Sequence, residues 1–275
     1  MPTYLDRILL AHRARAAADL RDLDELVAAA ASLDEPARGF ARALRDDVGV
    51  SVIAEIKRAS PSRGPLAPDL DAALMARVYT SGGAAALSVL TDAEFFCGSA
   101  DDLAAARAAT TLPVLRKDFT VGPADVCDAR LMGADAVLLI AAALSPSMLA
   151  ELFDLAAAVG LDAVIEVHDE GEADAALSLG ATLIGVNQRD LVTFEVDQER
   201  AERVARVVPP TVVRVAESGI RTGHDLARLA DAGYDAVLVG EALVTAADPA
   251  AALRSLLPGV GDELDHNRGA DRCST

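Results

Sequence analysis

Leu131-Met132-Gly133-Ala134-Asp135-Ala136-Val137-Leu138-Leu139-Ile140 passes from one periodic segment into another of different period. Ahead of it, residues 124–131 carry apolar side chains at helical spacing; beyond Gly133, residues 135–140 form an almost unbroken apolar run. A glycine just past a helix end supplies the left-handed residue that turns the chain back. A strand apolar on both faces is one covered on both faces, which favours parallel pairing. The same hinge recurs at Ser178-Leu179-Gly180-Ala181 and at Asp231-Ala232-Gly233-Tyr234-Asp235-Ala236. One hinge used repeatedly indicates a βα repeat.

Working outward, strand candidates fall at 51–57, 85–90, 113–117, 135–140, 163–167, 182–187, 211–217 and 235–239, with Ala-rich amphipathic stretches between them at 70–80, 124–131, 148–159 and 223–231. That cadence is the cadence of an α/β fold, a single (β/α)8 TIM barrel. Residues 1–46 show only helical spacing and are expected to form an N-terminal helical extension within a domain spanning 1–257. The polar, aperiodic stretch 258–275 is expected to be a disordered tail.

The chain has 275 residues, 52% of them apolar but only 3% aromatic, with no Trp. Its core must therefore be built from Val, Leu, Ile and Ala, the residues that fill barrel interiors. A net charge of −18 argues against nucleic acid or an anionic membrane as partner. An anionic substrate then requires a local field opposed to the global one. Cys97, Cys127 and Cys273 are few, odd in number and far apart. They read as free thiols, and with no signal or membrane segment apparent, the expected location is cytoplasmic.

Only two of the 25 basic residues are lysine, Lys57 and Lys117. Lysine is a compact charge whose pKa responds to burial, whereas arginine stays protonated at any working pH. Both lysines end a strand candidate, and barrel chemistry is done at the C-terminal ends of strands. With a period of two, Glu55 and Lys57 share a face while Ile56 takes the other. Further along stand Lys117, with Asp118 facing away, then Glu166 and His168, Asn187 and Arg189, and Glu217-Ser218-Gly219. Acids and bases thus converge from five strands, and their crowding should drive their pKa values apart.

After the seventh and eighth strands, Ser218-Gly219 and Gly240-Glu241 offer backbone N–H groups where barrels bind phosphate. Ser60 and Gly64, in the long loop after the first strand, are placed to close over that group. Glu241 is expected to turn its carboxylate away and offer only its N–H. No metal is expected: lysines interleave the carboxylates, and His12, His168, His224 and His266 lack ligand spacing. A buried lysine beside a phosphate site also suits a Schiff-base aldolase; a phosphometabolite-binding protein without catalysis is the reading from another class.

Six motifs, in order, resemble those of indole-3-glycerol phosphate synthases. They are Glu55-Ile56-Lys57-Arg58-Ala59-Ser60-Pro61-Ser62-Arg63-Gly64, Ser88-Val89-Leu90-Thr91-Asp92 with Phe95-Phe96, Arg116-Lys117-Asp118-Phe119, Ile165-Glu166-Val167-His168, Gly185-Val186-Asn187-Gln188-Arg189-Asp190-Leu191 and Ala216-Glu217-Ser218-Gly219-Ile220. Gln188 and Glu241 depart from the family pattern; neither is a proton-transfer position, so the departures are expected to bear on ligand contacts and to leave the reaction unchanged. The resemblance implies a cofactor-free closure of the indole ring with loss of CO2 and water, in tryptophan biosynthesis. It makes Lys117 the general acid, and Glu166 and Lys57, supported by Glu55, the base and acid of the dehydration. Lys57, Asn187 and Arg189 would meet the substrate carboxylate, and Glu217 and Ser218 the sugar hydroxyls. Ser218-Gly219, Gly240 and Glu241 would hold the phosphate beneath Ser60, and Phe96 the aromatic ring. The expected partner is one small phosphorylated anionic substrate, and the expected state is a monomer.

Overall fold

A computed structural model describes residues 3–45, 49–190 and 192–257. Eight parallel strands close into a barrel: β1 (Ser51–Ile56), β2 (Ala86–Leu90), β3 (Val114–Lys117), β4 (Ala136–Ile140), β5 (Asp162–Val167), β6 (Leu183–Asn187), β7 (Val213–Glu217) and β8 (Ala236–Val239). Closure is made by β1 on β8, in the register Ser51↔Ala236 to Ala54↔Val239. The anticipated strands lie within two residues of those observed. The tail expectation for 258–275, Cys273 and His266 lie outside the described residues.

The recurring hinge has a definite physical basis. Gly133 takes a φ of 89°, and the N–H of Ala134 returns to the carbonyl of Ala129. Asp135, two residues on, accepts the N–H of Val114 at 2.8 Å, and Asp235 does the same for Arg214 at 2.8 Å. Each aspartate thereby fastens the start of its own strand to the start of the strand before it. The helices begin on side-chain caps, among them Asp71, Ser99, Ser145, Asp169 and Thr222, each accepting a first-turn N–H.

Side chains alternate between two buried clusters. Ile53, Leu115, Leu138, Val164, Leu183, Val215 and Leu238 fill the lumen, while Val52, Ile56, Val137, Ile165, Val186 and Val237 pack outward against the helices. The same alternation carries on to the C-terminal ends, so Glu55, Lys117, Glu166, Asn187 and Glu217 enter the lumen.

The N-terminal segment contains the helices Tyr4–Ala18, Leu23–Ala31 and Phe40–Ala43. It runs the height of the barrel. At the C-terminal rim of the strands His12 meets Asp92 at 2.9 Å, and Arg13 donates to the carbonyl of Ala143 at 2.9 Å. On the outside, Leu23–Ala31 packs along Pro123–Leu131, with Arg21 paired to Asp128 at 2.7 Å. At the base, Phe40 is fully buried, and the N–H groups of Arg38 and Ala41 reach Asp135 (2.8 Å) and Asp162 (2.9 Å).

Candidate active site

One cavity opens at the C-terminal end of the barrel. Glu55, Lys57, Lys117, Glu166, Asn187 and Glu217 line it, together with Ser60, Phe96, Arg189, Ser218, Gly219, Gly240 and Glu241. Both lysines therefore project into the same space. Lys117 sits at its centre, its Nζ 2.8 Å from Glu166 Oε2 and 3.2 Å from Glu217 Oε2. Lys57 pairs with Glu55. Asn187 donates from Nδ2 to Glu166 Oε1 at 3.2 Å, while its Oδ1 accepts from Ser218 Oγ (2.9 Å) and the N–H of Arg189 (3.0 Å). That leaves one amide N–H of Asn187 for a ligand.

Gly185 explains how Glu217 fits. A Cβ at position 185 would collide with Glu217 Oε1, so the missing side chain is what admits the carboxyl. That Oε1 is buried and has no protein partner. Burial pushes Glu217 up, and the neighbouring Glu166 adds to this against the pull of Lys117; the result is a carboxyl raised to about 7. Burial also pushes Glu166 up, but Lys117, His168 and Asn187 outweigh it and hold this carboxyl below its ordinary range. Burial disfavours the Lys117 ammonium, yet Glu166, Glu217 and Glu55 overcome that and hold its pKa above that of an ordinary lysine. Two carboxyls within reach of one amine are thus driven in opposite directions.

Beyond β7, Ser218 (φ 68°) and Gly219 (φ 77°) are successive left-handed residues, turning the backbone sharply at the cavity wall. Gly240 opens the turn Glu241–Val244, and a Cβ there would strike Glu55 and press on Lys57 Nζ at 3.1 Å. Ser60 Oγ, on the far lip, is buried and unpartnered. The Glu241 carboxylate is held by Arg63 at 3.0 Å, with Arg221 at 4.0 Å. These two arginines place positive charge at the mouth of an otherwise acidic protein. Gly64 does not reach the cavity. Its φ of 70° turns a two-strand hairpin, Ala59–Ser60 against Gly64–Pro65, and that hairpin is what presents Ser60.

The extension supplies part of the wall, which the sequence did not reveal. Tyr4, Leu5 and Ile8 line the cavity with Phe96, Phe119, Leu138 and Ile140. Tyr4 stands edge-on to Phe95 (5.9 Å) and Phe194 (5.8 Å), bridging two loops. The loop after β6 contributes Arg189, whose Nη1 donates to the carbonyl of Phe194 at 2.9 Å.

His12, dismissed on spacing, is brought by the fold to Asp92 and Asp118, with ligand atoms within 4.8 Å of one another. Arg15 already binds Asp92 (3.2 Å) and Arg116 binds Asp118 (3.0 Å). The trio is therefore compensated by guanidinium groups and ties the first helix to the rim. Cys97 is exposed and Cys127 buried, both as free thiols. Among the described residues, no helix is long and apolar enough to cross a membrane.

A sequence model of the family described as indole-3-glycerol phosphate synthase matches residues 5–256. The indole-3-glycerol phosphate synthase of Mycobacterium ulcerans is 51% identical over 257 residues, covering 93% of this chain and 94% of its own length. That of Mycobacteroides abscessus is 50% identical with the same coverage. Among solved structures, the thiamine phosphate pyrophosphorylase of Pyrococcus furiosus aligns with a TM-score of 0.57 at 19% identity, over 75% of this chain and 93% of that one. The N-acetylmannosamine-6-phosphate 2-epimerase of Clostridium perfringens gives 0.57 at 20%, over 74% and 89%. At such identities the likeness is one of fold.

Proposed function

This chain belongs to the indole-3-glycerol phosphate synthase family, and we propose on that premise how its lumen divides the work of closing an indole ring. Enzymes of this family are carboxy-lyases of tryptophan biosynthesis. They convert 1-(2-carboxyphenylamino)-1-deoxyribulose 5-phosphate to indole-3-glycerol phosphate. The observation that carries the reading is Lys117 held between Glu166 and Glu217 in a cavity that also contains Lys57.

When the ring carbon attacks the ketone, the carbonyl oxygen must receive a proton. The Lys117 ammonium, kept charged by its carboxylates, is the general acid for that step. The bond to the carboxylate then breaks, CO2 leaves and its electron pair returns to the ring. Arg189 and Lys57 hold this carboxylate until then, with the remaining amide N–H of Asn187. Dehydration follows: the hydroxyl departs as water on a proton from Lys57, and Glu166 removes the proton from the neighbouring carbon. Asn187, bonded to Glu166 Oε1, sets the orientation of that base. Glu217 and Ser218 face the sugar hydroxyls.

The phosphate is assigned to the turn at Ser218-Gly219 and the N–H groups after Gly240, with Ser60 Oγ opposite. Arg221 and Arg63 draw the anion against the net charge of −18. The aromatic ring is assigned to the wall of Phe96, Leu138 and Ile140, which excludes water during ring closure. All these groups come from one chain, which supports a monomeric catalytic unit, and two free thiols support a cytoplasmic location.

The test is direct. The linear substrate mixed with the protein should give the fluorescence of the indole product and one CO2 per turnover. A lysine adduct trapped by borohydride, without CO2, would establish the aldolase instead.

A further inference from the structure

Each turnover of the reaction assigned above leaves the protein one proton short. Forming the carbon–carbon bond delivers a proton to the ketone oxygen, and breaking the carbon–oxygen bond delivers another to the departing hydroxyl. Only one returns, from the carbon beside the nitrogen; losing CO2 returns an electron pair and no proton. Substrate plus H+ therefore gives product, CO2 and water, and that proton must come from solvent. Lys117 and Lys57 are the two donors and Glu166 the one acceptor: the proton Glu166 takes restores Lys57 through the water just released, and the proton owed to Lys117 must reach the inside of a lumen whose mouth the substrate occupies.

A side route stands behind Glu166. His168 is not part of the cavity lining. Its Nε2 is buried, has no hydrogen-bond partner, and lies 3.5 Å from Glu166 Oε1. Its Nδ1 lies 3.2 Å from Glu172 Oε2, which also accepts the His168 backbone N–H at 2.7 Å. Glu172 belongs to the first turn of the helix Glu170–Ser178 and keeps 24% of its side chain exposed. The charged groups around the imidazole are Glu166 from β5, Glu172 from its own helix and Arg200 from the helix Gln198–Ala205.

We propose that Glu172 and His168 form a proton inlet, passing one proton per turnover from solvent through Glu166 to Lys117. His168 is a positioning and relay residue and does not touch substrate. In the resting site Lys117 keeps Glu166 ionised and the relay waits. Once Lys117 has given its proton away, that attraction disappears and burial raises the proton affinity of Glu166. The imidazolium Nε2–H then passes to Oε1, the carboxyl rotates, and the proton crosses the 2.8 Å to the Lys117 amine. Nδ1, held against Glu172, draws the replacement from water. Burial lowers the His168 pKa, but Glu172 and Glu166 outweigh it and hold it above that of an ordinary histidine, which favours reloading of the imidazole.

This inference rests on the ring-closing assignment, and the experiment separates the two. Product formation by His168→Gln, Glu172→Gln and the unaltered protein is followed by rapid mixing with linear substrate in dilute buffer. Expected for His168→Gln is a first turnover within about twofold of normal, later turnovers slowed at least about tenfold, and recovery on adding imidazole. Glu172→Gln, on a partly exposed side chain, shows the same pattern more weakly and stands alone should His168→Gln fail to fold. Full-speed steady state in both variants overturns the inlet. First and later turnovers slowed alike, with no response to imidazole, overturn it in favour of a structural role. No product from the unaltered protein refutes the ring-closing assignment itself.

Discussion

Replacing Lys117 by Met keeps the length of the side chain and removes its charge. Glu166 and Glu217, now 2.8 Å and 3.2 Å from the ammonium, would be left in the lumen with no cation between them. Removing one partner of a buried pair costs about 3–5 kcal/mol, against about 0–1 kcal/mol for an exposed pair. For a chain of this size that corresponds to a Tm lowered by on the order of 10 °C at pH 8.

The pH dependence gives the sharper signature. In the unaltered protein Glu166 lies below its unfolded value of 4.5, so its contribution is present above 4.5 and lost as pH falls. Without Lys117, burial raises the same carboxyl above 4.5. Its contribution is then complete below 4.5 and lost as pH rises. The deficit of Lys117→Met should therefore shrink between pH 8 and pH 5, while turnover falls at least about a hundredfold. Thermal and urea melts of both proteins at the two pH values measure this. A deficit under about 1 kcal/mol at pH 8, or one equal at both pH values, refutes the charge balance described for the lumen.

Three further outcomes follow from the geometry. Lys57→Arg keeps the positive charge but not a proton that can be given up, so kcat should fall at least about tenfold in the fluorescence assay with folding intact. Gly219→Ala meets a left-handed φ of 77° and Val196 Cγ1 at 2.6 Å; a cost of about 1–2 kcal/mol at the phosphate turn should raise KM roughly tenfold while kcat changes less. Glu217, raised to about 7 by burial, contributes stability that is complete below 4.5 and lost as pH rises through about 7. Glu217→Gln should therefore remove an ionisation near pH 7 from the kcat/KM profile of the free enzyme, and an unchanged profile would assign that ionisation elsewhere.

The barrel was legible because its unit repeats. Gly133 and Asp135, like Gly233 and Asp235, state locally where a helix ends and how the next strand is fastened. The lumen-facing set was legible for a related reason: once strand ends are located, a period of two decides which of Glu55, Ile56 and Lys57 faces inward. What stayed hidden depends on the meeting of distant segments. The helix Tyr4–Ala18 shows apolar spacing but not which surface it covers, so Tyr4, Leu5 and Ile8 gave no sign of lining the cavity. His12 and Asp92 are separated by 80 positions, and no local pattern joins them. Arg63 and Arg221 were two arginines among 23 until Glu241 gathered them; the position of Arg221, directly after the seventh-strand motif, was the one available hint.

The N-terminal segment works like a strap buckled at both ends of a cask. Its rim contacts join residues 80 and 130 positions apart, and its base contacts residues 97 and 121 positions apart. Such distant closures form late, because the loops between them must be ordered first. A molecule whose strap has slipped would keep its staves yet lose both lid and floor, so in rising denaturant turnover should fade before the far-ultraviolet signal does.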